Sequence, residues 1–355
     1  MDSTAPEVSV IVRSMARSTL DAALASIARQ QGVRAEVVVV AASGPSHPPL
    51  AAMGGAHPMR LITASAPLKR AAAANAGLVA ARGAWITFLD DDDLFLEDHL
   101  AGLVAATTNA PHARVVTSYA KGVFRDGHVE WFGQPFALKQ LYERNFIHLS
   151  ATLFARSLVD AGCRFDERFD ILEDWEFMLQ LAQRAAFHFV PLDSFQWNAD
   201  AGDSGAAGGA NHDAARFASH RDRVYAKWQA AYEALEARTQ PLLERAAAAL
   251  AAGRLADADK ECRAVLVLSA NDPWALNLRA QVLRVAGRVA DARNVQALAA
   301  AVRPQDAGFV YNLALLDQAL GDVEAARRNV RKALAVDPAF EPARALAHEV
   351  GVPLD

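Results

Sequence analysis

At 355 residues the chain is long enough for two or more ordinary domains with real cores. A net charge of -5 and a pI near 6.1 argue against a protein built to coat nucleic acid, and no nucleic-acid partner is expected. The two cysteines, Cys163 and Cys262, lack metal-ligand spacing and imply no disulfide framework, as suits a reducing cytosol. Met1 to Glu7 carries no basic segment followed by a long apolar one, so no signal peptide is expected. No stretch approaches the ~20 apolar residues that span a bilayer.

Taken in order, Val8 to Val12 is a β-branched run and reads as the first strand. Ser18 or Thr19 is expected to cap a helix with apolar residues at Leu20, Leu24 and Ile27, which Gly32 ends. Glu36 to Val40 is a second buried strand, and one βαβ unit in about thirty residues implies a right-handed parallel crossover. Ser43 to Pro58 reads as loop, Leu61 and Ile62 as a short third strand, and Lys69 to Arg82 as helix. Further on, Glu97 to Thr107 reads as helix, and Val115 to Phe124 with Val129 to Phe132 as a hairpin around Arg125-Asp126-Gly127-His128. Ala151 to Phe154 reads as strand, Phe165 to Phe169 as loop, Leu172 to Ala185 as helix, and Phe187 to Val190 as a last strand ended by Pro191. Asn198 to Asn211, rich in Gly, Ala, Ser and Asp, is longer than most connections and reads as a flexible loop or lid. Asp213 to about Arg238 is helical, with a break expected at Pro241.

The chemistry concentrates where the strand Ala84 to Leu89 runs straight into Asp90-Asp91-Asp92-Asp93. Buried strands of parallel sheets gather ligands at their carboxyl ends, so these acids are placed where an α/β protein binds substrate. Four adjacent like charges repel unless a cation or solvent absorbs the field. Hard divalent ions prefer oxygen ligands, and Mg²⁺ typically takes one or two carboxylates plus substrate phosphates. The plainer alternative is a solvated acidic loop that caps the helix near Glu97.

The last third repeats. Gly253, Gly287 and Gly321 are spaced by 34 residues, the tetratricopeptide period, with Ala258, Ala292 and Ala326 five residues after them. Ala246, Ala280 and Ala314 precede the glycines by seven, and Pro304 and Pro338 follow the second and third by seventeen; in the first repeat the proline is displaced to Pro273. Small residues let paired helices pack closely and proline stops the second helix of each pair. A generic alanine-rich bundle would not require this coincidence.

The first ~200 residues resemble a family 2 glycosyltransferase of the GT-A fold. The resemblance rests on Val8 to Val12, Leu20 to Gln30, the block Arg70 to Asp93, Phe165-Asp166-Glu167 and Glu173-Asp174-Trp175-Glu176. It implies an α/β, Rossmann-like, mostly parallel nucleotide-sugar-binding domain at 1–212; the helical pattern and the 34-residue repeat add a connecting helix at 213–240 and an all-α tetratricopeptide domain of about three repeats at 241–355. It implies a divalent cation, Mn²⁺ or Mg²⁺, held by Asp92 and Asp90, and a nucleotide-diphosphate sugar approached by Arg70, Asn75, Asp90 and Asp91. Asp174, with Glu173 beside it, matches the base that takes the acceptor hydroxyl's proton in an inverting transfer; helix-start acids are the alternative. Asp93 would orient neighbours or cap the next helix.

The sequence also departs from the family. Ala41-Ala42-Ser43 stands where an aspartate usually reads the nucleotide base, and Arg13-Ser14-Met15-Ala16-Arg17 replaces P-T-Y-N-R. Arg13 and Arg17 are candidate phosphate contacts or solvated arginines; His212 and His220 are candidate diphosphate contacts. The expected acceptor is a glycan, lipid-linked or protein hydroxyl, with a protein partner on the repeats and a cytoplasmic location, free or at the inner face of the membrane. The competing reading is a tetratricopeptide adaptor whose GT-A domain binds nucleotide without turnover. A nucleotidyltransferase is disfavoured by the lack of a Gly-rich phosphate loop after the first strand.

Overall fold

The computed structural model describes residues 5–199 and 213–354. Of the expected lid, only Asn198 and Ala199 fall among them; the rest, and His212, lie outside the described residues. The chain forms two compact units, one of Met1–Gln134 with Asn145–Lys227 and one of Pro135–Arg144 with Trp228–Asp355.

The first unit is α/β. Its elements are β1 (Val8–Ser14), α1 (Leu20–Ala28), β2 (Ala35–Ala41), β3 (Met53–Gly54), β4 (His57–Thr63), α2 (Arg70–Ala80), β5 (Trp85–Asp90), β6 (Leu94–Phe95), α3 (His99–Asn109), β7 (Ala113–Val123) and β8 (Val129–Phe132). After an excursion into the second unit as α4 (Leu138–Glu143), it continues with β9 (Thr152–Ala155), α5 (Arg156–Asp160), α6 (Glu173–Ala182) and β10 (Ala186–Asn198). The sheet order is β3-β4-β2-β1-β5-β9-β7-β10-β6, with β8 on β7. The β4-β2-β1-β5 portion is parallel, as βαβ crossovers require. Beyond β5 the ladders with β9 are antiparallel and the sheet is mixed.

The strands bury both faces, which explains their unbroken apolar runs. Val8, Val10 and Val12 share one core with Leu20 and Ile27 of α1 and Leu100 and Leu103 of α3. Ile11 points the other way and meets α2, where a Cβ on Gly77 would lie 2.3 Å from Ile11 Cγ2. Phe88, the register partner of Ile11, stacks on Phe154 on that same face, and Phe154 meets Phe177 of α6 edge-on. Helices on both faces leave the carboxyl ends of β1 and β5 as the open edge of the sandwich.

Four local expectations are corrected. Thr19 occupies the cap position of α1, but its hydroxyl makes no cap bond and is buried without a hydrogen-bond partner among the described residues. The Ser43–Pro58 stretch contains β3 and the start of β4. β10 runs for 13 residues through Pro191, which falls where the ladder to β7 shifts register between Phe189 and Asp193. A bulge tolerates the missing N–H. Pro241 lies inside the continuous 38-residue α7 (Ala214–Ala251) rather than breaking it. Interior proline costs about 3 kcal/mol. Burial of Leu235, Leu243, Ala246 and Ala249 along that helix offsets it.

The second unit is all-helical: the later part of α7, then α8 (Leu255–Leu268), α9 (Pro273–Val285), α10 (Val289–Val302), α11 (Ala307–Ala319), α12 (Val323–Val336) and α13 (Glu341–Val350). The three repeat glycines sit in the turns α7–α8, α9–α10 and α11–α12, with φ of 70°, 77° and 79°. That left-handed backbone explains why glycine recurs there. Ala258, Ala292, Ala314 and Ala326 are fully buried, as close helix packing requires. Pro273 opens α9 at its first turn behind Asp272, whose carboxylate caps Trp274 N and Ala275 N. α4 was not foreseen: its buried Lys139 pairs with Glu236, and Glu143 accepts from Arg303 at 2.9 Å.

Candidate active site

The carboxyl ends of β1 and β5 bring two of the sequence's unusual features together. Arg13 and Asp90 are register partners across the parallel ladder, so their side chains leave the sheet on one face. Arg13 forks onto both oxygens of Asp90, Nε to Oδ1 at 2.9 Å and Nη2 to Oδ2 at 2.8 Å, and donates from Nη1 to Glu173 Oε1 at 3.0 Å. Although burial opposes its charge, Asp90 and Glu173 raise the Arg13 pKa further, so it remains a fixed cation. Burial opposes the charge of Asp90, yet Arg13 and then Arg70 hold its pKa below the ordinary value.

Each remaining acid of the tetrad has its own environment. Asp91 is fully buried and orders the loop after β1, accepting from Met15 N at 2.6 Å and from Arg17 Nη1. That loop turns through Ala16 at φ 58°, a left-handed conformation held by Ala16 N donating to Ser14 Oγ. Asp93 is buried and accepts from Asn198 N at 3.0 Å; burial, then the charges of Asp90 and Asp92, push its pKa well up. Asp92 is partly buried and borders a cavity, with Arg17 Nη1 3.6 Å from its Oδ2. Its pKa is raised by burial and then by Asp90.

Asp90 and Asp92 line a cavity of about 400 Å³ with Arg13, Arg17, Lys69, Arg70, Arg216 and Asp170. Five cations against three acids make the space suited to an anion. Arg70 is the first residue of the 11-residue α2, so the positive end of that helix dipole also faces the cavity. Ala42, Leu68 and Ala73 give the cavity an apolar side, with Ala42 where the resemblance would place a base-reading aspartate. Asp92 also borders a second cavity of about 310 Å³ lined by Thr19, Leu94, Phe124, Arg125, Gln196 and Asn198.

A divalent cation fits this donor set in a restricted way. Among the described residues no three His, Cys, Asp or Glu side chains converge as a metal cage. Asp92 is hard-oxygen, raised in pKa and open to the cavity, so it suits an ion completed by phosphate oxygens and water. Asp90 and Asp91 have their oxygens engaged by Arg13, Met15 N and Arg17.

Glu173 and Asp174 open α6, preceded by Leu172 at φ 61°, a second non-glycine residue in the left-handed region beside the site. Glu173 is 2 % exposed and turned inward to Arg13. Asp174 receives Asn145 Nδ2 at 3.4 Å, and burial first and the charge of Glu173 second raise its pKa to about 6, while Arg13 and Arg70 oppose the rise. A carboxylate with that pKa takes and returns protons near neutrality.

Asn75 is engaged away from the cavity. Its amide donates to Phe165 O and Glu167 Oε1 at 3.0 Å, and its carbonyl accepts from Phe165 N at 2.9 Å. This clamps the Phe165-Asp166-Glu167 segment onto α2, with Phe165 packed on Phe88 and Phe177. Asn75→Ala is therefore expected to lower stability by about 1–3 kcal/mol by stripping partners from a half-buried backbone. Thermal melts would read that loss, and nucleotide affinity should stay near the parent's. His220 sits on α7 with Nδ1 against Arg216 O and does not line the cavity. His148 was missed by sequence reading. It stacks on Trp197, accepts from Ser150 N, and is pushed down to about 4 by burial, so it is neutral beside Asp90.

Comparisons with known proteins place this unit in a class. Residues 9–166 match the model of "Glycosyl transferase family 2". The succinoglycan biosynthesis protein ExoO of Rhizobium meliloti is 31% identical over 188 residues, 48% of this chain and 54% of that protein. The chain thus spans about half the length of this curated relative. Among solved structures, S. aureus TarS 1-349 in complex with UDP-GlcNAc is 15% identical, covering 94% of this chain and 91% of that one at a TM-score of 0.47. A Thermobaculum terrenum O-GlcNAc transferase mutant is 25% identical over 33% of this chain and 22% of its own, at a TM-score of 0.31.

Proposed function

We propose that the protein transfers a sugar, with inversion, from a nucleotide-diphosphate sugar to an acceptor hydroxyl, assisted by a divalent cation. The observation that carries this reading is one electrostatic cluster joining an anion-suited cavity, Asp92 at its edge, and Asp174 with a pKa near 6. Arg17, Lys69, Arg70 and Arg216 receive the donor's diphosphate, and the apolar side at Ala42, Leu68 and Ala73 receives the base by packing. Asp92 holds the cation, which when bound neutralises charge on the leaving diphosphate. The acceptor oxygen attacks the anomeric carbon, the bond from that carbon to the diphosphate oxygen breaks, and Asp174 takes the hydroxyl proton. A single displacement of this kind inverts the anomeric centre.

The family match and the polysaccharide in that relative's name favour a glycan acceptor over a lipid or protein one. The helical repeats serve to hold a protein partner or the acceptor chain. Among the described residues no helix is long and apolar enough to cross a membrane, which accords with a cytoplasmic catalyst working in solution or against the inner membrane face. The test follows nucleoside diphosphate release from a panel of nucleotide sugars with Mn²⁺ and mixed sugar acceptors. Turnover with one donor is expected. Tight donor binding without turnover on any acceptor would favour an adaptor instead.

A further inference from the structure

The second cavity continues into a face of the sheet on which the proposed chemistry makes no demand. Along β10, Phe195 and Trp197 turn into the core, whereas Gln196 and Asn198 line that cavity. Register carries the same face onto the neighbouring strands. Gln196 is the partner of Leu94 on β6 and of Lys121 on β7, and Lys121 is the partner of Trp131 on β8. Leu94, Gln196, Lys121 and Trp131 thus form one row, and steps of about 4.8 Å between strands make it roughly 14 Å long. Its inner end is the cavity of about 310 Å³ that Asp92 borders, close to the lower size of ligand pockets. Its outer end is Trp131, a large side chain left 52 % exposed on the strand that flanks β7.

Trp131 is held rather than loose. Tyr119 meets it edge-on with ring centroids 6.0 Å apart, Lys121 Nζ lies 5.8 Å from its ring centre, and Phe189 backs Tyr119 at 5.0 Å. An aromatic ring fixed in advance loses little freedom when a ligand lies on it. Its electron-rich face suits the C–H face of a pyranose. Gln196 and Asn198 bring amides that both donate and accept, as sugar hydroxyls do. A nucleic acid would call for more cations than Lys121 and Arg125 supply. A peptide or lipid would call for a broader apolar patch than Trp131, Val129 and Leu94 provide.

We infer that this row is the acceptor subsite, on which a saccharide of more than one ring lies with its inner end in the cavity beside Asp92 and an outer ring on Trp131. This rests on the sugar-transfer reading. Asp92 borders both cavities, so a chain laid along the row ends where the donor cavity begins. Binding by the outer rings then fixes which hydroxyl reaches the reacting centre.

The experiment exposes the full chain to a microarray of short α- and β-linked gluco-, galacto- and manno-oligosaccharides of increasing length. The best binder is then titrated in solution, beside a titration with uridine or guanosine diphosphate and Mn²⁺. Affinity is expected to climb with saccharide length. Trp131→Ala should weaken the longer chains about tenfold and flatten that climb, and Trp131→Phe should restore most of it. Because the ring is half-exposed, melts of both variants should stay near the parent's. Gln196→Ala tests the middle of the row independently, with a severalfold loss expected at every length. A parent that binds no saccharide on the array overturns the proposal. So does a folded Trp131→Ala that keeps the full length dependence, or, should that variant not fold, a Gln196→Ala that binds as the parent does. Length-dependent binding through Trp131 in a chain that binds neither nucleotide with Mn²⁺ overturns the acceptor role differently, by removing the transfer reading beneath it.

Discussion

Asp174→Asn is expected to slow transfer by roughly 10²-fold or more while donor affinity stays near the parent's, since a positioned base typically contributes that much. The substitution preserves shape and removes the proton acceptor. On the proposed reading the donor's contacts lie with the cations of the cavity, which does not include Asp174 among its lining residues. The pH profile should carry the same signature. Asp174 is a base only when ionised, so the parent's rate should rise with pH through about 6. Asp174→Asn should lack that limb. Stability should move the other way. Burial and Glu173 raise the folded pKa above the unfolded one, so the protonated form is favoured by folding. The stability this confers is present below the unfolded pKa near 4 and is lost as pH rises through about 6. At neutral pH the asparagine variant should therefore melt at a higher temperature than the parent. A variant matching the parent's rate would leave Asp174 as a helix-start acid and nothing more.

Much of the architecture was legible because it follows from local rules. Val8 to Val12 and Ala35 to Ala41 are buried on both faces, and an unbroken β-branched run has few other ways to satisfy that burial. The 34-residue glycine period was legible because each glycine meets a left-handed turn. The two prolines misled for a shared reason: sequence shows their local cost, while the bulge at Pro191 and the packed face around Pro241 are tertiary compensations. In the site, the location was legible and the wiring was not. Arg13 looked like a phosphate contact or a solvated residue, because its pairing with Asp90 depends on the β1–β5 register. Asn75 sits inside the block that carries the family resemblance, yet its partners are at Phe165 and Glu167, about ninety positions away. Nothing local to His148 announces that tertiary folding lays it against Trp197 beside the tetrad.

Asp92→Ala separates the four adjacent acids by function. Removing the carboxylate that faces the cavity should abolish cation-dependent nucleotide binding. It should cost several kcal/mol of transition-state stabilisation, or ~10³-fold in rate. The fold should not suffer. Asp92 has a raised pKa because burial and the charges of Asp90 and Asp91 disfavour its ionised form, so deleting it relieves repulsion at neutral pH. Thermal melts without metal should show a variant at least as stable as the parent. Asp91→Ala is the contrasting case. It strips Met15 N and Arg17 of a fully buried acceptor, and removing one partner of such a set costs about 3–5 kcal/mol. Calorimetry with Mn²⁺ and a nucleoside diphosphate, beside melts of both variants, reads the two effects separately. If Asp92→Ala bound the pair as tightly as the parent, the cation would be held elsewhere, and the tetrad would be a structural acid cluster. If instead Asp91→Ala were as stable as the parent, the loop after β1 would owe its shape to Ser14 and Arg13 rather than to the buried carboxylate.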